Sequence, residues 1–339
     1  MAVTTKSPTA RDRGTAPGRE RDSVLTKILV RQETTLVLVI LVIGAFASSR
    51  SHLFLSQSNL TEILRSSVIY FVMACGAALL IIGGGLDFSA GAVFTLGALS
   101  TCKLLVEGVP WPPAILIGMA ICCAFGAVNF LVITYLHVPP IIATLGTFYM
   151  LTGLNNLVTS GNDIIPLPQS FQRIAQGSVA GLSSDVVIAV AVGVLFWFVL
   201  ERTQFGVNVR ALGGNRQAAV GNGLRVLRLD LALYVIAAAT AALAGVIYSA
   251  QVGAGQVTAG GTSTTLNAIT AVLIGGVSLM GGMGNIQGIA VGAVLLSLID
   301  NALVLTSIPP QYNSIVVGAI LVGAVAVDHL RRARIYRKR

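Results

Sequence analysis

Apolar runs parted by short polar or glycine-rich interruptions repeat from residue 34 to residue 328, and several of them reach about 17 to 23 residues. Such runs are long enough to cross a hydrocarbon core of roughly 30 Å as helices. They predict spans near 34–48, 63–82, 89–106, 113–135, 141–158, 185–200, 231–250, 266–281, 286–304 and 313–328. A stretch such as VVIAVAVGVLFWFVL (186–200) does not alternate apolar and polar residues, as a barrel strand would. The expected fold class is therefore all-α: a polytopic integral membrane protein of about ten transmembrane helices. Two segments, around 83–91 and 275–288, are interrupted by glycines, and pairs such as Gly84–Gly85 and Gly275–Gly276 are expected to let helices approach closely. GGGLDFSAGAVFTLGAL also faintly echoes GGVSLMGGMGNIQGIAVGAVLL.

Composition agrees: 55% of the 339 residues are hydrophobic, 10% are charged, and the mean hydropathy is +0.83. The net charge of +9 would suit a nucleic-acid partner, but its distribution argues against one. Of 22 Lys and Arg, seven lie in residues 1–33, five in 201–230 and six in 331–339. Those three clusters mark the cytoplasmic face, which puts both termini inside, an even number of crossings before 201–230, and the 159–184 connection outside. Residues 1–33 are polar and carry four acids, which predicts a disordered cytosolic tail rather than a signal peptide; 331–339 reads as a basic cytosolic tail. Cys75, Cys102, Cys122 and Cys123 fall in or beside apolar runs with neither disulfide nor metal-ligand spacing.

The two long connections differ in character. The outer one, SGNDIIPLPQSFQRIAQGSVAGLSSD, either packs a short helix against an external partner or simply connects two spans. Within the inner one, RQAAV is helix-forming and lies between Gly213-Gly214-Asn215 and Gly221-Asn222-Gly223, with Asn215 placed to cap it. Two helical turns do not stabilise themselves in water. The element must pack on something, either membrane lipid through Arg216, Arg225 and Arg228 or a groove on a cytosolic protein.

At these residues the chain resembles the permease subunits of ribose-type ABC sugar importers, the bacterial inner-membrane family that also imports galactose, xylose, inositol and autoinducer sugars. The resemblance rests on GGGLDFSAG (83–91), VPPIIATLGTFYMLTGL (138–154), ALGGNRQAAVGNGL (211–224) and TLNAITAVLIGGVSLMGGMGNIQG (265–288), in that order. It covers residues from about 60 to 328, within a permease domain expected over 34–330, and implies a chain that works as a pair with an identical or homologous one, receives solute from an external binding protein, and is driven by a cytosolic ABC ATPase. Gly214, Asn215, Arg216, Gln217, Ala218, Ala219 and Gly223 would form the ATPase-coupling loop. No cofactor is expected in this chain; ATP would be bound by the partner subunit, and the sequence has no G-x-x-x-x-G-K-[ST]. The chain departs from the family pattern at Arg216, Thr265, Asn267, Met283 and Asn285, where acidic or basic residues are common in relatives. Those departures fit altered docking charge, a non-identical second permease, or a different substrate.

Carboxylates at membrane depth cost at least about 2.5–3.5 kcal/mol on insertion scales, so Asp87 and Asp300 need partners. Asp87 or Ser89 is expected to cap the helix restarting after the glycine break, and the break can also line or gate the conduit. Asp300 lies near the outer end of its span, beside Asn301, where water or a neighbouring helix would satisfy it. Gly85, Asp87, Ser89, Asn129, Thr144, Asn155, Gln251 and Asn301 are the candidate path and gate residues, although uncharged polar groups in spans also serve as helix-packing contacts. Neutral donors and acceptors suit a neutral polyol or sugar. His52, His137 and His329 lie at span ends or in loops, away from Ser89, which argues against a serine hydrolase. A proton-coupled secondary transporter using Asp87 or Asp300 is the alternative reading.

Overall fold

The computed structural model describes residues 32–179, 181–309 and 311–337. The tail expected over 1–33 falls, through residue 31, outside the described residues. The chain is helical almost throughout: α1 (Gln32–Arg50), α2 (Gln57–Ile82), α3 (Ala90–Val106), α4 (Trp111–Tyr135), α5 (Pro140–Thr159), α6 (Gln169–Gln176), α7 (Ser184–Arg202), α8 (Gln204–Gly214), α9 (Arg216–Gly221), α10 (Val226–Val252), α11 (Thr262–Ile274), α12 (Ile286–Leu305) and α13 (Gln311–Arg337). A two-residue hairpin, β1 (Ser178–Val179) with β2 (Leu182–Ser183), joins α6 to α7.

Among the described residues, α2, α4, α5, α7, α10 and α12 are long and apolar enough to cross a membrane. Four shorter apolar stretches, Leu36–Arg50, Ala90–Val106, Thr262–Ile274 and Gln311–Ala326, fall where the remaining spans were expected. The layout is a core of buried helices with a lipid-ready rim. The most apolar window of α2 is 72% buried and that of α7 only 17%. α10 sits between α2, α3 and α4, and α12 between α2, α11 and α1. Small residues permit this: a side chain added at Gly97 would lie 2.7 Å from the Ala242 Cα, and one at Gly245 2.1 Å from the Phe94 carbonyl oxygen.

The structure corrects one expectation and adds two helical segments. The span placed at 266–281 ends at Ile274, because Gly275 and Gly276 stop it. The 201–230 connection holds an additional helix, α8, whose Phe205, Val209 and Leu212 recur at helical spacing and pack inward, with Thr203 accepting the Gly206 N–H as cap. The basic segment from residue 331 continues α13 as helix through Arg337.

Candidate functional site

The glycine break that follows α2 is a helix stop of defined geometry. The Gly84 N–H donates to the Ile81 carbonyl (2.9 Å) and the Gly85 N–H to the Leu80 carbonyl (2.9 Å). Gly84, at φ +89°, occupies the left-handed position that this Schellman pattern demands. α11 ends the same way: the Gly276 N–H bonds Leu273 and the Val277 N–H bonds Val272, with Gly276 at φ +92°. The faint echo between the two segments is thus an echo of geometry. Gly275 also serves close approach, since a Cβ there would lie 2.6 Å from the Ile289 Cα, whereas Gly84 and Gly85 chiefly end their helix.

Chain restart after the first break depends on a polar chain. Asp87 Oδ1 accepts the Ser89 backbone N–H (2.7 Å) and the Ser89 hydroxyl (2.5 Å). Asp87 therefore takes one of the free N–H groups at the entrance to α3, while the Ser89 side chain makes no capping bond of its own. Ser89 Oγ accepts from Asn129 Nδ2 (2.9 Å), and Asn129 Oδ1 accepts from the Thr147 hydroxyl (2.6 Å). Thr144 Oγ1 accepts the Phe88 N–H (3.1 Å), Thr265 Oγ1 accepts the Gly91 N–H (2.8 Å), and the Tyr234 hydroxyl donates to the Leu86 carbonyl (3.4 Å). Helices α4, α5, α10 and α11 all contribute to holding the break. A cavity lies against it between α2, α10 and α11, with Asp87 and Thr265 as polar groups in an otherwise apolar lining.

Five of the eight path candidates, Gly85, Asp87, Ser89, Asn129 and Thr144, meet at this break. Asn155, further along α5, donates to the Ala92 carbonyl of α3 (3.2 Å). The other two lie elsewhere. Gln251 Nε2 donates to Asp185 Oδ2 (2.6 Å), where Arg65 Nε also donates (3.1 Å), so it belongs to a clamp joining α2, α7 and α10 around a fully buried Asp185. Asn301 exchanges hydrogen bonds with Asn59 on α2 (2.7 and 3.0 Å). Asp300 Oδ2 accepts from the Tyr70 hydroxyl (3.0 Å), so a neighbouring helix supplies its partner. Tyr234 and the Arg65–Asp185 pair were not legible as site groups in the sequence; their partners lie more than a hundred residues away.

The second cluster is α9. Asn215 Oδ1 accepts the Ala218 N–H (2.9 Å), and Ala219 is the residue it buries. Gly214, Asn215, Gln217, Ala218 and Gly223 remain exposed. Arg216 is exposed yet committed to an ion pair: its two Nη atoms bond the two Asp230 carboxylate oxygens (3.2 and 2.5 Å), which ties α9 to α10 and raises the guanidinium pKa further. The residue that departs from family charge here is thus a strut. Thr265 is explained by its Gly91 bond, Asn267 by its bond to the Tyr70 hydroxyl (3.1 Å), and Asn285 by capping α12 at the Gly288 N–H (2.6 Å). Met283 is exposed, and nothing in the structure explains it. On the opposite side of the chain, α6 turns Phe171 and Ala175 inward, and Gln176 Nε2 donates to the Ala250 and Gln251 carbonyls, so the 159–184 connection packs on the end of α10.

Comparison with known proteins adds the family context. Residues 59–325 match the family described as branched-chain amino acid transport system / permease component. The D-allose transport system permease protein of Escherichia coli K12 is 31% identical over 87% of this chain and 91% of its own length. The ribose import permease protein of Bacillus subtilis 168 is 35% identical over 83% and 87%. The galactose/methyl galactoside import permease protein of E. coli K12 is 33% identical over 89% and 96%. No solved structure gives a significant match.

Proposed function

This chain belongs to the branched-chain amino acid transport system / permease component family, and on that premise we propose that it carries a monosaccharide-like solute into the cytoplasm as the permease subunit of an ABC importer. The family match over residues 59–325, together with sugar permeases among the relatives, carries this reading. The protein is a multi-pass membrane permease component. We assign it ten crossings, the six long helices plus the four shorter apolar ones, with both termini in the cytoplasm. α9 is the docking helix for the ATPase. Its exposed face, Gln217, Ala218 and Val220, is free while Ala219 and the Arg216–Asp230 pair hold its back to the membrane domain. Two such chains, identical or homologous, flank the conduit, and the break at Gly83–Ser89 gates it. Alternating access then follows from rigid displacement of α9 rather than from chemistry in this chain.

The substrate class is tested by reconstituting the permease with its ATPase in liposomes and supplying the external binding protein loaded with D-ribose, D-allose or D-galactose. ATP-dependent uptake of at least one supports the assignment. Uptake of branched-chain amino acids with none of the three sugars would refute it.

A further inference from the structure

We propose that Gly213, at the end of α8, is the transmission point of the permease: the place where movement of the docking helix reaches both glycine breaks at once. The proposal rests on the docking role of α9 given above.

Three stretches of backbone meet there with no side chain between them. The Gly282 N–H donates to the Ile82 carbonyl (2.7 Å), joining the loop after α11 to the last residue of α2. Gly213 packs onto that bond. A Cβ built on Gly213 would lie 1.8 Å from the Ile82 carbonyl oxygen and 2.7 Å from the Gly282 nitrogen. From the other side, a Cβ on Gly281 would lie 2.8 Å from the Gly213 carbonyl oxygen, and one on Gly282 3.0 Å from the Gly214 Cα. Ile82 directly precedes the first break, and Gly281–Gly282 lie within the second. The docking helix begins only two residues beyond Gly214, after Asn215.

A second connection runs parallel to the first. Arg210, one helical turn before Gly213, pairs with Glu201 and donates from Nη2 to the Gly284 carbonyl (3.3 Å). It also donates from Nη1 to the Leu200 carbonyl (3.3 Å) at the end of α7. The guanidinium therefore fixes α8 against both the preceding span and the second break. Backbone in van der Waals contact transmits displacement without the slack of a rotatable side chain, and packed elements shift between discrete positions rather than deform smoothly. Gly213 is a positioning residue in this account; it touches neither nucleotide nor solute.

The test uses the complex of full-length permease and ATPase in liposomes, with a reporter cysteine introduced at Leu86, in the first break. Its alkylation rate is compared without nucleotide and with ATP plus vanadate. The same complex lacking the reporter gives the background from native Cys123, which is half-buried, and from Cys75, Cys102 and Cys122, which are buried. In Gly213→Ala the ATPase still assembles and hydrolyses ATP, but the nucleotide-driven change in alkylation rate falls by at least about fivefold, the low end of ordinary coupling between two sites. Gly153→Ala, on α5 and away from the junction, whose added Cβ meets nothing within 4 Å, keeps the full change. Arg210→Gln, which adds no bulk to the junction, also reduces the change and decides the matter if Gly213→Ala does not assemble. A Gly213→Ala or Arg210→Gln complex that hydrolyses ATP with the full rate change overturns the transmission role, as does an equal loss in Gly153→Ala. Failure of the unaltered chain to recruit an ATPase overturns the docking reading as well, and is visible separately as missing hydrolysis.

Discussion

Single residues in this protein matter mainly through the backbone groups they satisfy. Asp87 answers two donors of Ser89 with one oxygen, and that oxygen is equally present in asparagine. Asp87→Asn is expected to melt in detergent close to the wild type and to transport, because Asn and Asp cap about equally. Asp87→Leu should lose about 1–2 kcal/mol of stability, in the range of a lost cap. A fully inactive but normally stable Asp87→Asn would instead put the charge itself into the mechanism. The need for a cap at residues 87–89 was legible from the sequence, because a glycine break followed by Asp-x-Ser is a local pattern. The Ser89–Asn129–Thr147 continuation was not. Its members sit on three different elements, and their spacing along the chain says nothing about which hydroxyl meets which amide. Gln251 shows the converse: as a polar residue at a span end it resembled a wall group, yet the structure engages it with Asp185 and the Arg65 carbonyl.

Among elements, the apolar cores of the long helices were readable because hydropathy reports burial in lipid directly, whereas the more polar first turns of α2 and α10 begin six and five residues before the spans expected at 63–82 and 231–250. α4 was expected at 113–135 and runs Trp111–Tyr135; α12 was expected at 286–304 and runs Ile286–Leu305. α8 escaped notice for a physical reason. It is short and amphipathic, and its two terminal glycines read as loop, although the structure uses Gly213 for close packing. α9 was foreseen, cap included. Its exposed Ala218 offers a clean perturbation: Ala218→Asp adds a charge to a solvent-facing position without touching the Asn215 cap or the Arg216–Asp230 pair. The variant should insert and melt normally while its ATPase no longer co-purifies. Gly223→Trp would be a poorer probe, since Gly223 has φ +79° and any side chain there is strained. Co-purification of the ATPase with Ala218→Asp at wild-type yield would remove α9 from the interface.

At the level of the whole molecule, the proposed topology places α9 and the hairpin β1–β2 on opposite sides of the membrane. Cysteines introduced at Gln217 and at Leu182, both exposed, should be labelled from opposite faces of intact cells by an impermeant maleimide, Leu182→Cys without permeabilisation and Gln217→Cys only after it. Labelling of both from one side would break the ten-span arrangement. That arrangement also gives the two glycine breaks and the α8–α9 unit a common, cytoplasmic side, which the close approach of Gly213 to Ile82 and Gly282 requires in any case. The central claim is that this permease is moved by a docked ATPase and carries no energy-coupling chemistry of its own. The most direct measurement is solute uptake into proteoliposomes containing the permease, its ATPase and the loaded binding protein, with ATP enclosed and a protonophore present. Undiminished uptake that stops when ATP is omitted is the predicted result; uptake by the permease alone, driven by a proton gradient without ATP, would contradict it.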